Sequence, residues 1–232
     1  GFESQNYIST PLILYKNIRV VISKAKHRQT GQLRAIKQPR EGVRDREWWT
    51  NELDLLGKCD HPHISRLYEY YRGGAQVSQV AEICPGKSLA IFSKTERGSL
   101  SEVVFGLLIR QALSAIAHVH GHGYCHLELT ADDFHLSRLY HSKFAPLQDI
   151  SLKLVNLGLA RQVDDEVPEI TDKTKGLLYH TQGMSPEQVE AGKENIDTVR
   201  SDRCDVWAIG VIAYFVLTGV YPVVNNRGLR SE

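Results

Sequence analysis

One stretch limits what this chain can fold into: His126-Leu127-Glu128-Leu129-Thr130-Ala131-Asp132-Asp133. Apolar residues before it recur at helical spacing, at Val104, Leu107, Leu108, Ala112, Leu113, Ile116 and Val119. The pattern predicts a helix over Phe105–His122, ended by Gly121 and Gly123. Downstream lies Val155-Asn156-Leu157-Gly158-Leu159-Ala160-Arg161, following a predicted strand over Leu152–Val155. A long amphipathic helix, a carboxylate-bearing loop and a second turn after a short strand therefore have to be accommodated together.

The 232 residues are 42% hydrophobic and 24% charged, ample for one packed domain of one or two lobes. The net charge of +1 supplies no field of one sign, so neither nucleic acid nor a membrane surface is expected as a partner. Cys59, Cys84, Cys125 and Cys204 show no C-x-x-C spacing; they are expected to be free thiols in a reducing, cytoplasmic compartment. No apolar run is read as long enough to span a membrane, and the N-terminus does not read as a signal peptide. His118, His120, His122 and His126, with Cys125 beside them, are zinc-type ligands, but their spacing fits no common zinc pattern. Residues two apart do not face each other on a helix, so no metal site is expected from this set.

The first part of the chain reads as strands from about Leu12 to Lys37, with β-branched Ile18-Arg19-Val20-Val21-Ile22 and a turn at Thr30-Gly31-Gln32. Leu33-Arg34-Ala35-Ile36-Lys37 ends this region. A helical segment over Asp45–Lys58 carries Glu52 and an apolar face of Leu53, Leu55 and Leu56. Val77–Glu82 reads as a further strand, leading into Ile83-Cys84-Pro85-Gly86. Late in the chain come Ser185-Pro186-Glu187, then Asp205-Val206-Trp207-Ala208-Ile209-Gly210, then Leu217-Thr218-Gly219-Val220-Tyr221-Pro222.

In this order the segments resemble the eukaryotic protein kinases, closest to the calcium/calmodulin-dependent and calcium-dependent kinases. That family carries A-I-K, H-R-D-L-K-P-E-N, D-F-G and A-P-E. The resemblance covers nearly the whole chain. It implies an α+β, bilobal protein-kinase-like fold: a small β-rich N-lobe over residues 1–83 and a mainly helical C-lobe over 84–232 that lacks its last helices. It also implies that Lys37 pairs with Glu52, that Leu56, Leu67, His126 and Leu157 stack between the lobes, and that Asp205 anchors them from below. Ala145–Ile150 reads as a loop insertion.

The same resemblance makes the departures visible. The roof over the phosphates is glycine-rich in the family, but Tyr15-Lys16-Asn17-Ile18-Arg19-Val20 contains no glycine. Ala81 stands at the gatekeeper position, Glu82 and Cys84 would offer backbone groups to adenine, and His135 replaces the aliphatic residue beneath the base. Glu128 takes the place of the catalytic aspartate, one methylene longer. Thr130 replaces the lysine that neutralises the transferring phosphoryl group, and Leu127 the arginine that receives an activation-loop phosphate. The metal ligands are exchanged: Asp133 stands for the loop asparagine and Asn156 for the turn aspartate. Tyr179-His180 stands where a glycine-threonine pair is expected. These losses point to a pseudokinase, a regulatory or scaffolding module. The alternative is a weakly active serine/threonine kinase transferring the ATP γ-phosphate. No cofactor is expected, weak ATP and magnesium binding being left open; the expected partners are proteins, such as an active kinase or its substrate.

Overall fold

The computed structural model describes residues 6–16, 20–40, 46–73, 76–96, 100–139, 149–158, 160–163, 183–195 and 201–222. The roof residues Asn17–Arg19, most of the expected insertion at Ala145–Ile150, and Tyr179-His180 lie outside them.

The first part of the chain forms a five-stranded antiparallel sheet of spatial order β1-β2-β3-β5-β4. Its strands are β1 (Tyr7–Lys16), β2 (Val20–His27), β3 (Leu33–Pro39), β4 (Leu67–Gly73) and β5 (Gln76–Ala81). The strands thus begin at Tyr7, earlier than the sequence suggested. Gly31, at φ 70° between β2 and β3, takes a left-handed conformation open to glycine at little cost. β1 is an edge strand with Pro11 in it, and its register against β2 shifts between Ser9 and Ile13. Ile8, Leu12, Ile13, Leu14 and Tyr15 along it are between 40% and 53% exposed.

Helix α1 (Arg46–Lys58) sits between β3 and β4 in the chain. Trp49, Glu52, Leu53, Leu55 and Leu56 recur at spacings of three and four and form its buried face. The helical part comprises α2 (Leu89–Thr95), α3 (Glu102–Gly121), α4 (Pro186–Asn195) and α5 (Asp202–Thr218). α3 starts before the expected Phe105 because Ser101 caps it, its side chain accepting from the Val104 N–H while Glu102 complements the helix dipole. Of the apolar positions assigned to its inner face, Leu113 is exposed. α3 is long and apolar enough, by length and composition, to cross a membrane, which the sequence reading had denied to any run. Its buried face instead packs against α5 and the strand β8 (Leu152–Leu154), and buried Gln111 joins that strand by accepting from the Leu152 N–H and donating to the Ile150 carbonyl. α5 is capped by Ser201 and closed by Gly219 at φ 76°, whose N–H reaches the Phe215 carbonyl.

One core runs through both parts. Leu55, Leu56 and Ile64 from the sheet-bearing part join Leu108, Ile116, Phe134, Leu154, Leu157 and Ile212 of the helical part. Each such side chain contributes about 1.5–3 kcal/mol by leaving water. Two small ribbons lie over it: β6 (Tyr124–Cys125) with β9 (Arg161–Gln162), and β7 (Phe134–Leu136) with β8. The four cysteines are free.

Gly86 fixes how the segment after β5 meets the β7–β8 ribbon. A Cβ there would lie 2.3 Å from the Arg138 carbonyl oxygen and 2.5 Å from Leu136 Cβ, and its own N–H bonds the Leu136 carbonyl. Gly86→Ala should therefore act as overpacking, costing about 1–3 kcal/mol. For a chain of this size that is a fall of roughly 2–10 °C in melting temperature, measurable by circular dichroism; an unchanged midpoint would contradict the contact.

Candidate functional site

Everything at the site hangs on a buried carboxylate. Asp205, in the first turn of α5, is 0% exposed. Its oxygens accept from the backbone N–H groups of His126 and Leu127, each at 2.7 Å, and from His120 Nε2 at 2.8 Å. Leu127 has φ 69° and is the one non-glycine residue with positive φ among the described residues. A γ-branched residue in this region is strained by about 1–2 kcal/mol. The two N–H bonds to Asp205, and the Gln188 Nε2–H donated to the Leu127 carbonyl at 2.9 Å, hold it there. That kink aims the following loop, Glu128 to Asp133, at the sheet.

On the sheet side, Lys37 of β3 and Glu52 of α1 form a buried ion pair at 2.6 and 2.8 Å, with 5% and 1% exposure. Glu52 also accepts from Gln79 Nε2 at 3.0 Å and from the Leu157 N–H at 3.2 Å. Its charge is thus met by three donors from three elements. Lys37 also donates to Asn156 Oδ1 at 3.2 Å. Asn156 passes the chain on, its Nδ2 donating to Asp133 Oδ1 at 2.9 Å. Asp133 Oδ2 accepts from both the backbone N–H and the hydroxyl of Thr130, each at 2.8 Å. A continuous polar network therefore runs Gln79–Glu52–Lys37–Asn156–Asp133–Thr130.

The residues expected to stack do share one place. Leu56 and Leu157 belong to the main core, Leu67 packs against it, and His126, 0% exposed, bonds the Asn156 carbonyl through Nε2 at 2.7 Å. Ala81 closes β5 opposite Ala35 and Leu67. The backbone of Glu82 is already engaged, its N–H with the Arg66 carbonyl at 2.8 Å and its carbonyl with Ser65 Oγ at 3.3 Å. Its carboxylate pairs with Lys153 at 2.7 Å. Burial pushes the Cys84 thiol up to about 12, helped by the Glu82 charge, so Cys84 is a neutral, unreactive wall residue. His135 lies on β7 with Nδ1 3.3 Å from the Gly86 carbonyl, and burial lowers its pKa, leaving it neutral. Glu128 is half-buried on the loop.

The arrangement brings the Lys37 ammonium, the Glu52 and Asp133 carboxylates and the Asn156 amide into one hydrogen-bonded chain. Magnesium prefers carboxylate oxygens in near-octahedral order. The neutral Asn156 accepts from Lys37 at 3.2 Å, and its amide N–H is donated to Asp133. Sequence reasoning had named both residues without foreseeing that they bond each other, nor that Gln79 and Gln188 take part. The five histidines and cysteines considered from sequence separate in space: His120 goes to Asp205 and His126 to Asn156. His118 and His122 instead meet Cys59, at the end of α1. His118 and His122, four apart on α3, are thus joined by a third group from another part of the chain that the sequence reading did not consider.

Comparison with known proteins bears on this geometry. Residues 19–231 match the model of the protein kinase domain. The chain is 29% identical over 202 residues to sperm motility kinase 3A of Mus musculus, covering 85% of this chain and 35% of that protein. It is 28% identical over 208 residues to calcium-dependent protein kinase 5 of Plasmodium falciparum, covering 89% and 33%. It is 26% identical over 209 residues to human calcium/calmodulin-dependent protein kinase type IV, covering 90% and 40%. The chain thus spans between 33% and 40% of the length of these curated relatives. Among solved structures, Rad53 residues 1–466 in complex with AMP-PNP superposes with a TM-score of 0.71 at 23% identity, over 96% of this chain and 51% of that one.

The network yields an asymmetry that equilibrium urea unfolding can read. Glu52→Ala leaves Lys37 buried beside a neutral wall and strips Gln79 and the Leu157 N–H of their acceptor. It should cost about 3–5 kcal/mol, the range for breaking a buried pair. Lys37→Ala leaves Glu52 with two donors still in place and should cost less. Equal small losses would mean that the pair is solvated.

Proposed function

This chain belongs to the protein kinase family, and from that premise we propose that it works as a pseudokinase: a bilobal regulatory or scaffolding module that presents a kinase-shaped surface to protein partners. The observation that carries this reading is the hydrogen bond from Asn156 Nδ2 to Asp133 Oδ1. In the family the aspartate of the turn bridges metal to the β and γ phosphates. Here an amide occupies that place and points a donor at the Asp133 carboxylate. When bound, ATP with its magnesium would supply the phosphoryl group. Lys37 would be the residue to meet its α and β phosphates, and Asp133 with Asn156 would hold the ion.

Three further substitutions support the reading. Thr130 brings no charge to a transferring phosphoryl group and is bonded to Asp133 instead. Glu128 sets its carboxylate one methylene further from the backbone than the family's aspartate does, and a general base must come within about 3 Å of its proton. The roof sequence Tyr15–Val20 has no glycine to let backbone approach phosphates. The Lys37–Glu52 pair is then architectural, orienting α1 against the sheet. Protein partners such as an active kinase or its substrate, in a reducing intracellular setting, fit this role.

A second reading keeps one specific observation on its side. The Lys37–Glu52 pair is closed and the Leu56, Leu67, His126, Leu157 group is assembled, an arrangement that also suits a weakly active serine/threonine kinase.

The two readings diverge in a thermal-shift titration with ATP, with and without Mg²⁺ or Mn²⁺. A ligand at a hundred times its Kd stabilises by about 2.7 kcal/mol, so binding would be plain. We expect no shift at millimolar ATP, and phosphate transfer to a protein substrate well below about 1 s⁻¹, the lower end for kinases. Asn156→Asp should gain metal-dependent nucleotide binding without ordinary kinase rates. Wild-type transfer at or above that rate would overturn the pseudokinase reading, and a lack of gain in Asn156→Asp would move the obstruction to the roof.

A further inference from the structure

We propose that Cys59, His118 and His122 form a binding site for a zinc-class divalent ion, tying the end of α1 to the end of α3. The ligand atoms these three residues offer all lie within 4.8 Å of one another. Around a tetrahedral zinc with Zn–N near 2.0 Å and Zn–S near 2.3 Å, ligand atoms sit about 3.3–3.7 Å apart. Closing from one arrangement to the other needs side-chain adjustments of about 1 Å, within the ordinary travel of a rotamer well.

The hydrogen bonding around the cluster independently points to a ligand. His118 Nε2 is buried and has no hydrogen-bond partner among the described residues; a buried polar atom left so costs about 1–3 kcal/mol, which a metal would relieve. His122 Nδ1 lies 2.9 Å from the His118 carbonyl oxygen. A carbonyl only accepts, so Nδ1 carries the proton and the Nε2 lone pair is free. This is the tautomer-fixing arrangement that metal-bound imidazoles use. It arises from the helix end itself. The His122 N–H turns to Val119 and His120, leaving the His118 carbonyl without its usual helical donor, and the His122 side chain takes it up.

The other nearby histidines are committed elsewhere. His61 receives the His63 N–H on Nδ1, so its Nε2 donates to Ser114 Oγ at 3.1 Å; its ring stacks on His118 at 4.9 Å and serves as a wall. His63 Nδ1 bonds the Leu152 carbonyl at 3.0 Å. Cys59 is 8% exposed, and burial pushes its thiol up to about 11. Metal binding would displace the proton of the Cys59 thiol. A water completes the fourth position. The site stands outside the nucleotide cleft and does not rest on the pseudokinase reading. It would lock the segment that follows α1 onto the helical lobe, beside the existing tie from Lys58 Nζ to the Tyr124 hydroxyl at 3.3 Å.

The test is a Co²⁺ titration of the reduced full chain, read by absorption, followed by displacement with Zn²⁺. We expect one equivalent bound with a thiolate-to-cobalt charge-transfer band that Cys59→Ser abolishes. We also expect at least tenfold weaker binding in His122→Ala, with far-UV circular dichroism unchanged, and no weakening in His63→Ala. Zn²⁺ should raise the melting temperature of wild type but not of His122→Ala. Cobalt bound without a thiolate band, no binding at all, or equal affinity in wild type and His122→Ala would overturn the assignment.

Discussion

A single carboxylate at the start of α5 holds this structure in register. Asp205 accepts two consecutive backbone N–H groups and a histidine, and a buried carboxylate keeps its charge only when such donors surround it. In return it holds Leu127 in a conformation that the residue would not adopt alone. The loop from Glu128 to Asp133, the placement of His126 beneath the Asn156 carbonyl, and hence the junction between the lobes all follow from that kink. None of this depends on nucleotide. The scaffold is held by packing and by backbone bonds to one side chain, so changes in the catalytic residues leave it standing.

At the cleft the same economy has a different result. Here the polar groups have closed on one another, from Gln79 through Glu52, Lys37, Asn156 and Asp133 to Thr130. Asp133 and Asn156, exchanged in type relative to the family, are joined by a hydrogen bond, and Thr130 is bonded to Asp133 in turn. A network whose members are all bonded to one another is rigid and costly to open.

Much of this was legible in the chain. The spacing of Lys37, Glu52, His126, Asp133, Asn156 and Asp205 carries the fold, because these residues sit in short motifs whose order along the chain is itself a constraint. The apolar periodicity of α3 was legible too, although its start depended on the Ser101 cap and its breadth was overdrawn at Leu113. What could not be read were pairings across elements. Gln79 reaching Glu52, Gln188 reaching Leu127, and Cys59 meeting His118 and His122 join positions whose separation in sequence carries no signal in one chain. The histidine pair was visible at a spacing of four. Judging the whole group by its spacing of two hid it, and the cysteine came from a helix more than fifty residues away by rough count.

The β1 strand has a consequence for how the molecule behaves among its own copies. It borders the sheet with β2 on one side, and a row of half-exposed apolar side chains runs from Ile8 to Tyr15. Such an edge is a template for a strand from a neighbouring chain. Pro11 cannot donate to a new ladder, and the shifted register beside it bends the edge away from straight pairing. Resistance of this edge to pairing with another chain thus rests on Pro11 and the register shifts beside it, and colloidal behaviour, rather than folding, is where the loss of that proline would be felt.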